Sequence, residues 1–561
     1  MYNELLRAMK KYIAIVVFLT LAGLGFRLFL ALRLPNDEPD DGRLYARIAM
    51  NVLVHRSYSI DTEEPYSPTY IRVPGYPLFL AGVYSVFGHD NNRAVRVIQA
   101  VLDTATCWLI AWLAIAWAPL AWSGRKRRLL MLIALGAAAS CPFSAIYVTT
   151  ILTEVSTTFL VTTCALTGSL ALKSTKLQKS VAWWILAGLA GGLATLFRPD
   201  SGLLVAGVGF SLVIIAAYRV ARRRSGTSGS SDALGTAPRQ MLTRALVSGA
   251  ILSIGFIVAI GPWTIRNARI FHVFQPIAPA QANMPDEFVP RGYIRWLKTW
   301  VDDVKYTETL EWGIDEQPFH IDDVPNYAFD SEQERERVAS LFERYNNPDS
   351  KTLESASAAP VQPPPTAEAP QQPDSPTEES DQDNNESTDG DEESSEETPE
   401  KPPAVEMTPD IDAGFAVLAQ ERITRHPIRF YVLVPLKRAS SLWFDSHSQY
   451  YPFQGELLPL SALDTETNQQ YFLPAFVFLT WLYTVFAVAG AVIMWLDKSS
   501  RRWLLLLALL VIPRMAFLTS MENPEPRYVV EFFAFILPVA SISLTQGWDR
   551  LQSRLANRQW H

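Results

Sequence analysis

Long uninterrupted apolar runs are the feature that most constrains this chain of 561 residues. A helix needs about 20 apolar residues to cross the roughly 30 Å hydrocarbon core of a bilayer. Runs of that length are residues 12–34, 94–122, 129–149, 150–172, 181–198, 200–218, 243–262, 471–496, 503–521 and 528–546. The sequence therefore predicts an all-α polytopic membrane protein with about 10–13 transmembrane helices, and it excludes a string of soluble domains.

The positions of the cysteines and the absence of nucleotide-binding motifs exclude further classes of protein. Cys107, Cys141 and Cys164 all lie in apolar runs, which argues against a disulfide framework and against a metal cluster. The chain has no glycine-rich phosphate loop of the Walker A or dinucleotide-binding type, so a soluble nucleotide-sugar donor is unsupported. Outside the short basic loops described next, the chain has no basic patch interleaved with aromatic residues. We therefore expect no nucleic-acid partner.

Lysine and arginine residues gather in alternate short loops, which predicts the orientation of the chain. Arg7, Lys10 and Lys11 precede the first apolar run, and we interpret that run as an uncleaved anchor. The further basic loops are residues 125–128, 173–179, 219–224, 498–502 and 550–558. One topology accounts for all of them, with both termini cytoplasmic and residues 35–93 and 263–470 on the outer face.

The long outer segment contains a stretch of unusual composition. Residues 351–405 hold 15 acidic residues, ten prolines and no aromatic residue, which predicts a disordered linker, either an inert spacer or a ligand for a cationic partner. Amphipathic helices are predicted on both sides of it, at 331–346 and 413–426. Two apolar stretches, 75–88 and 428–436, are too short to span and are expected to lie in the membrane interface.

The predicted organisation follows from these segments. Residues 1–270 form a transmembrane bundle with a catalytic outer loop at 35–93. Outer segments of mixed or helical structure at 271–350 and 406–470 flank the linker at 351–405. Residues 471–549 form the C-terminal transmembrane helices, and residues 550–561 form a cytoplasmic tail.

Charged residues at membrane depth are costly to hold in lipid and are therefore functional candidates. The expected topology places most of them, together with Tyr528, at the outer ends of apolar runs. They are Asp40, Asp41, Arg72, Glu154, Arg198, Asp200, Arg266, Glu522, Glu525 and Arg527. Any single one has an ordinary structural explanation, such as a helix cap at Asp200. Deeper in the runs, Arg27 and Asp103 are expected to extend toward the outer interface, and Arg514 to pair within the bundle.

Acids and arginines at an outer membrane interface suit the transfer of a sugar from a polyprenyl-phosphate carrier. The isoprenoid tail of such a carrier stays in the bilayer, so its phosphate lies at headgroup depth. Guanidinium groups would bind that phosphate through paired hydrogen bonds. Phosphate is a good leaving group, so one carboxylate is enough to act as general base on an acceptor hydroxyl. Attack from the opposite face would invert the sugar, by the logic of inverting glycosidases.

Several motifs, in their order along the chain, resemble those of the GT-C class of integral-membrane glycosyltransferases. The resemblance is to bacterial relatives of the dolichyl-phosphate-mannose–protein mannosyltransferases and of the lipid A aminoarabinose transferase, and it covers residues 12–275 and 500–546. The segments that carry it are DEPDDGRLYARIAMNV, RVPGYPLFLAGVYSVFG, LTEVSTTFL, GLAGGLATLFRPDSGLL, GPWTIRNARIFHVF and EPRYVVEFFAFILP.

The resemblance implies a protein of the bacterial plasma membrane, a GT-C-like bundle and a set of roles for these residues. Asp41 matches the first-loop catalytic acid, and Asp40 is the alternative because spacing alone does not separate them. Residues expected near the substrate are Arg72, Glu154, Arg198, Asp200, Arg266, Glu525, Arg527 and Tyr528. Some members of the class use a divalent cation. We expect no obligatory metal here, because the sequence has no histidine–cysteine cluster and no EF-hand loop.

The sequence therefore predicts an inverting glycosyltransferase that acts at the outer face of the membrane. Its expected partners are a polyprenyl-phosphate-linked sugar, membrane lipids and an acceptor that is a protein, a lipid or a polysaccharide. A transporter or flippase of lipid-linked sugars is the alternative. A transporter, however, usually has a midplane site and internal pseudo-symmetry, and the two halves of this chain do not look alike.

Overall fold

The computed structural model describes residues 2–34, 40–174, 176–224, 238–279, 283–284, 287–348, 405–444 and 467–558. This part of the chain contains 18 α-helices and no β-strand, so the predicted all-α class is confirmed. The helices, numbered here in chain order, are α1 Tyr2–Arg33, α2 Asp40–Val54, α3 Gly75–Phe87, α4 Asn92–Trp117, α5 Gly124–Ala139, α6 Pro142–Ala145, α7 Glu154–Lys173, α8 Leu177–Phe197, α9 Gly202–Arg224, α10 Pro238–Phe271, α11 Arg291–Leu297, α12 Val304–Leu310, α13 Glu332–Asn346, α14 Pro409–Arg425, α15 Val434–Phe444, α16 Thr467–Leu496, α17 Arg501–Thr519 and α18 Phe533–Arg558.

The predicted membrane-spanning segments correspond to long apolar helices. Nine helices within the described ranges are long and apolar enough to cross a membrane, and a bent pair makes a tenth. That pair is α5 followed by Pro142–Thr149, which was expected to be one segment at 129–149 but bends by 47°. The bend falls at Pro142, because a proline lacks the backbone N–H that would continue the helix.

Two of the shorter helices, α2 and α3, lie along the chain between the long apolar helices α1 and α4. The apolar stretch 75–88 is indeed a short helix, Gly75–Phe87. Gly75 opens α3 in close contact with the end of α8, where an added Cβ would lie 2.5 Å from the Phe197 ring and 2.6 Å from the Leu196 carbonyl oxygen. Only glycine permits this approach, which brings the loop residues before α3 near the residues that follow α8.

Small residues bring the long helices together. An added Cβ at Gly188 of α8 would lie 2.1 Å from the Leu252 carbonyl oxygen of α10. Helices in lipid gain no hydrophobic driving force from one another, so this close backbone packing is a main source of their association. All three cysteines are free and buried, as the sequence indicated.

The chain divides into two compact units. The first contains residues 1–289, 300–304 and 426–561, with all of the long apolar helices. The second contains residues 290–299 and 305–425, and its helices α13 and α14 confirm the amphipathic helices predicted beside the linker. Its core is aromatic, with Tyr293, Phe319, Phe342 and Phe415 in mutual ring contact. The predicted linker 351–405 lies outside the described residues, apart from Val405.

Arg27 and Asp103 differ from the sequence-based expectation. They do not extend toward an interface but pair with each other, with Arg27 Nε 2.6 Å from Asp103 Oδ2 and both side chains buried. Arg27 also donates to the carbonyl oxygens of Ala138 and Ala139 at the end of α5. A charge held in the interior needs a counter-charge and hydrogen-bond partners, and Arg27 has both here.

Candidate active site

Asp41 lies between two arginines at the start of α2. Its Oδ1 is 3.1 Å from Nη2 of Arg72, and its Oδ2 is 3.1 Å from Nη2 of Arg527. The side chain of Asp41 remains 22% exposed, so the carboxylate is accessible to a small reactant. Its position in the first helical turn adds the favourable field of the helix N-terminus.

The two arginines control the protonation of this carboxyl group. Burial favours the neutral form of Asp41, but the charges and hydrogen bonds of Arg527 and Arg72 outweigh it and hold the pKa of Asp41 below its usual range. The group is therefore a carboxylate at neutral pH. Next along the same helix face is Tyr45, where burial and the nearby Asp41 charge raise the pKa of the phenol.

Asp40, the alternative to Asp41, has a different environment. Its side chain is fully exposed, and the basic group paired with it is Arg43, which is also exposed, at 3.7 Å from Nη1 to Oδ1. Consecutive residues of a helix point about 100° apart, which separates the two carboxylates. The structure thus brings Asp41, and not Asp40, to the arginines.

A second group of charges, which we call the buried network, comprises Glu154, Arg198, Asp200, Arg514 and Glu531. Arg198 contacts three carboxylates: Nη1 lies 3.3 Å from Glu154 Oε1 and 3.4 Å from Glu531 Oε1, and Nε lies 3.5 Å from Asp200 Oδ1. Arg514 contacts two of them, with Nε 2.7 Å from Asp200 Oδ2 and Nη1 3.1 Å from Glu531 Oε2. The predicted pairing of Arg514 within the bundle is therefore found.

Helix ends bring the network together. Glu154 begins α7 and Arg198 follows the last residue of α8. Asp200 sits in the 3-10 turn Pro199–Ser201 that leads into α9, and Glu531 sits in the 3-10 segment Pro526–Phe532 that leads into α18. A proline opens each of these segments, where its missing N–H costs no hydrogen bond. Turns are present at 198–200 and 522–528, where the sequence predicted them, and their location on the outer face stays a prediction.

Tyr528 lies between the two groups of charges. The guanidinium of Arg527 lies 5.0 Å from its ring centroid, and that of Arg198 lies 4.9 Å from it. The Tyr528 hydroxyl is 3.3 Å from Arg527 Nη2 and accepts a hydrogen bond from the side-chain amide of Asn523 at 3.1 Å. The tyrosine thus links the Asp41 group to the buried network through its ring.

Glu525 and Arg266 occupy the remaining predicted positions. The buried Glu525 caps the 3-10 segment by accepting a hydrogen bond from the backbone N–H of Arg527. Arg266 donates to the carbonyl oxygen of Thr69 at 2.8 Å, and its guanidinium lies 4.6 Å from the Trp263 ring centroid. Arg266 forms no ion pair with any residue that the structure describes, so it stands apart from both charge groups.

Sequence reasoning missed Glu531. The residue is fully buried and contacts both arginines of the network. It lies in the quoted segment EPRYVVEFFAFILP, and an acid inside an apolar run is itself a signal of function. Asn523 and Tyr45 were likewise not singled out as site residues.

The donor set around Asp41 does not fit a divalent cation. Both carboxylate oxygens of Asp41 face guanidinium groups, whereas a cation needs several converging oxygen ligands. In the described ranges, no group of three or more His, Cys, Asp and Glu residues is arranged to hold a metal ion. The expectation of no obligatory metal stays a prediction.

No protein-family model and no curated protein sequence matches the chain. Among solved structures, it is similar to the Archaeoglobus fulgidus oligosaccharyltransferase in complex with zinc and sulfate, at 12% identity and a TM-score of 0.45, over 97% of this chain and 50% of that one. It is also similar to AglB from Archaeoglobus fulgidus in complex with an inhibitory peptide and a dolichol-phosphate, at 12% identity and a TM-score of 0.46, over 98% and 52%. The match to apo ArnT from Cupriavidus metallidurans has 11% identity and a TM-score of 0.33, over 96% and 78%.

These proteins are GT-C glycosyltransferases, the class that the sequence motifs indicated. The chain spans about half the length of the oligosaccharyltransferase chains. At such low identity the similarity concerns the fold alone.

Proposed function

We propose that this chain is an inverting glycosyltransferase that moves a sugar from a polyprenyl-phosphate carrier to an acceptor hydroxyl at the outer face of the membrane. The observation that carries the proposal is the carboxylate of Asp41 held between Arg72 and Arg527. Two guanidinium groups sharing one carboxylate leave this group of three residues with a formal charge of +1. An anionic phosphate is a suitable ligand for that excess charge.

The two arginines are suited to bind the donor phosphate. Each uses one terminal nitrogen on Asp41, and a guanidinium has further N–H groups in a fixed planar arrangement that matches phosphate oxygens. Arg527 is also restrained against the ring of Tyr528, which limits its rotation. Charge that develops on the phosphate as the C1–O bond breaks is then stabilised by groups already in place.

Asp41 is suited to act as the general base. The acceptor hydroxyl oxygen attacks the anomeric carbon, its proton passes to a carboxylate oxygen of Asp41, and the carrier phosphate leaves with the bonding electron pair. The configuration at the anomeric carbon is inverted. Binding of phosphate to Arg72 and Arg527 weakens their hold on Asp41, so the carboxylate becomes more basic when the donor is present.

The test is a pair of neighbouring substitutions. Membranes containing Asp41→Asn are incubated with labelled polyprenyl-phosphate sugars and compared with Asp40→Asn, which removes the adjacent but exposed carboxylate. We expect Asp41→Asn to abolish transfer and Asp40→Asn to retain it, with equal amounts of both variants in the membrane. Full activity of Asp41→Asn, or equal loss in both variants, would refute the role of Asp41. Transport without covalent transfer by the unaltered protein would favour a flippase.

A further inference from the structure

A cavity lies at the opposite end of the helices that carry the buried network. It is lined by residues near the end of α7, the start of α8, the end of α9 and the start of α17. In α7, Glu154 of the network and Leu172 of the cavity are 18 residues apart, which corresponds to about 27 Å along a helix. The cavity is therefore separated from the candidate active site by about the thickness of a bilayer core.

One lobe of this cavity is basic. Arg219, Arg244 and Arg502 line it from three different helices, and its volume is about 220 Å³. One water occupies roughly 30 Å³, so the lobe has room for a phosphate group. Arg502 has a buried Nε without a hydrogen-bond partner in the described part of the chain. The described residues that line this lobe include no carboxylate.

A second lobe adjoins the first and is apolar. It runs between α8 and α10, has a volume of about 470 Å³, and exposes mainly apolar surface from side chains such as Leu177, Val181 and Val247, although Arg239 and Arg244 also line it. The two lobes share five lining residues, which are Ser180, Trp184, Gln240, Arg244 and Ser248. A basic lobe continuous with an apolar groove is complementary to an amphiphile whose phosphate headgroup is joined to an acyl chain.

We propose that this cavity binds an anionic phospholipid, with the headgroup phosphate in the basic lobe and an acyl chain along the groove between α8 and α10. Basic pockets between transmembrane helices are suited to anionic lipid headgroups. A free phosphate would use the arginines but leave the apolar lobe unfilled. The site is independent of the sugar-transfer proposal, because it shares no residue with the Asp41 group or the buried network.

The experiment measures lipid binding to the purified full-length protein in detergent. Phosphatidylglycerol, phosphatidylcholine and inorganic phosphate are added separately, and bound molecules are counted by native mass spectrometry while thermal stability is followed. We expect one phosphatidylglycerol per chain and a raised melting temperature, and neither effect with phosphatidylcholine or inorganic phosphate. The double variant Arg219→Gln, Arg502→Gln should weaken phosphatidylglycerol binding by about tenfold or more.

The matched control is Arg125→Gln, which removes an exposed arginine outside both lobes and should bind phosphatidylglycerol normally. Val247→Gln tests the apolar lobe without changing the arginines and should also weaken binding. Because Val247 is half-exposed, we expect this variant to fold. Three results would overturn the proposal: equal binding of the two lipids, an effect of Arg125→Gln equal to that of the double variant, or a full response to inorganic phosphate alone. If the double variant does not fold, Arg219→Gln and Val247→Gln decide between the same outcomes.

Discussion

The pair formed by Arg27 and Asp103 provides the sharpest test of how the bundle is held together. The two side chains are 0% and 2% exposed, and Arg27 Nε lies 2.6 Å from Asp103 Oδ2. The same guanidinium donates to the carbonyl oxygen of Ala139, at the point where the chain bends into α6. Arg27 therefore has two roles: it neutralises the charge of Asp103, and it donates a hydrogen bond to a backbone carbonyl at the bend.

These roles predict different costs for three variants. Asp103→Asn leaves a buried guanidinium without a counter-charge, which should cost about 3–5 kcal/mol of unfolding free energy. Arg27→Met leaves the Asp103 carboxyl without its partner and should cost a similar amount. In the double variant Arg27→Met, Asp103→Leu no charge is left buried. We expect it to cost only about 1–3 kcal/mol, the penalty of the Ala139 carbonyl that has lost its donor.

The free energies are measured by unfolding the purified variants with SDS in mixed micelles. Arg33→Gln, which removes an exposed arginine from the end of the same helix, is the control and should change stability by less than about 0.5 kcal/mol. A double variant that is less stable than either single variant would show that mutual charge compensation is not what holds the pair. A double variant as stable as the unaltered protein would show that the carbonyl contact contributes nothing.

Three further predictions concern the candidate active site. Arg527→Lys should lower kcat/KM for the donor by about 10- to 100-fold, because an ammonium does not reproduce the planar fork, whereas Arg43→Gln should not; equal rates would exclude Arg527 as a phosphate ligand. Because Arg527 and Arg72 hold the pKa of Asp41 below its usual range, the acid limb of kcat/KM should lie below the ordinary titration range of an aspartate, and the acid limb of kcat should lie at higher pH. If the acid limbs of kcat/KM and kcat coincided, donor binding would not weaken the hold of Arg72 and Arg527 on Asp41, and this part of the mechanism would be wrong. Transfer activity should survive dialysis against EDTA, and recovery that requires added Mg²⁺ or Mn²⁺ would show a metal requirement.

The membrane-spanning helices were predictable because a helix forms all the hydrogen bonds of its backbone within one segment. In lipid every N–H and C=O must find a partner, so a long apolar run has few alternatives to a helix. The bend between α5 and α6 was not predicted, since hydropathy stays high across residues 129–149 while the backbone pairing changes at Pro142. The pairing of Arg27 with Asp103 depends on contacts 76 residues apart, which helical periodicity does not encode.

The sequence predicted which residues lie in the candidate site better than it predicted which of them contact one another. The charge pattern brought out Asp41, Arg72, Glu154, Arg198 and Arg527 from the ends of helices, and the structure places these residues in the two charge groups. The choice between Asp41 and Asp40 needed the rotation of α2, which the sequence does not give. Arg266 follows the same outer-end pattern but packs on aromatic rings, a difference that only tertiary contacts reveal.

Charge balance distinguishes the arginines around Asp41 from those of the buried network. In the buried network two guanidinium groups contact three carboxylates, so the formal charge of these five residues is −1. Arg514 in this network has a side chain with no exposed surface. Around Asp41 the balance is reversed, and Arg72 keeps 27% of its side chain exposed. The expected role of Arg198 at the donor phosphate stays a prediction, and in the structure the guanidinium of Arg198 lies against the ring of Tyr528, which also contacts the guanidinium of Arg527.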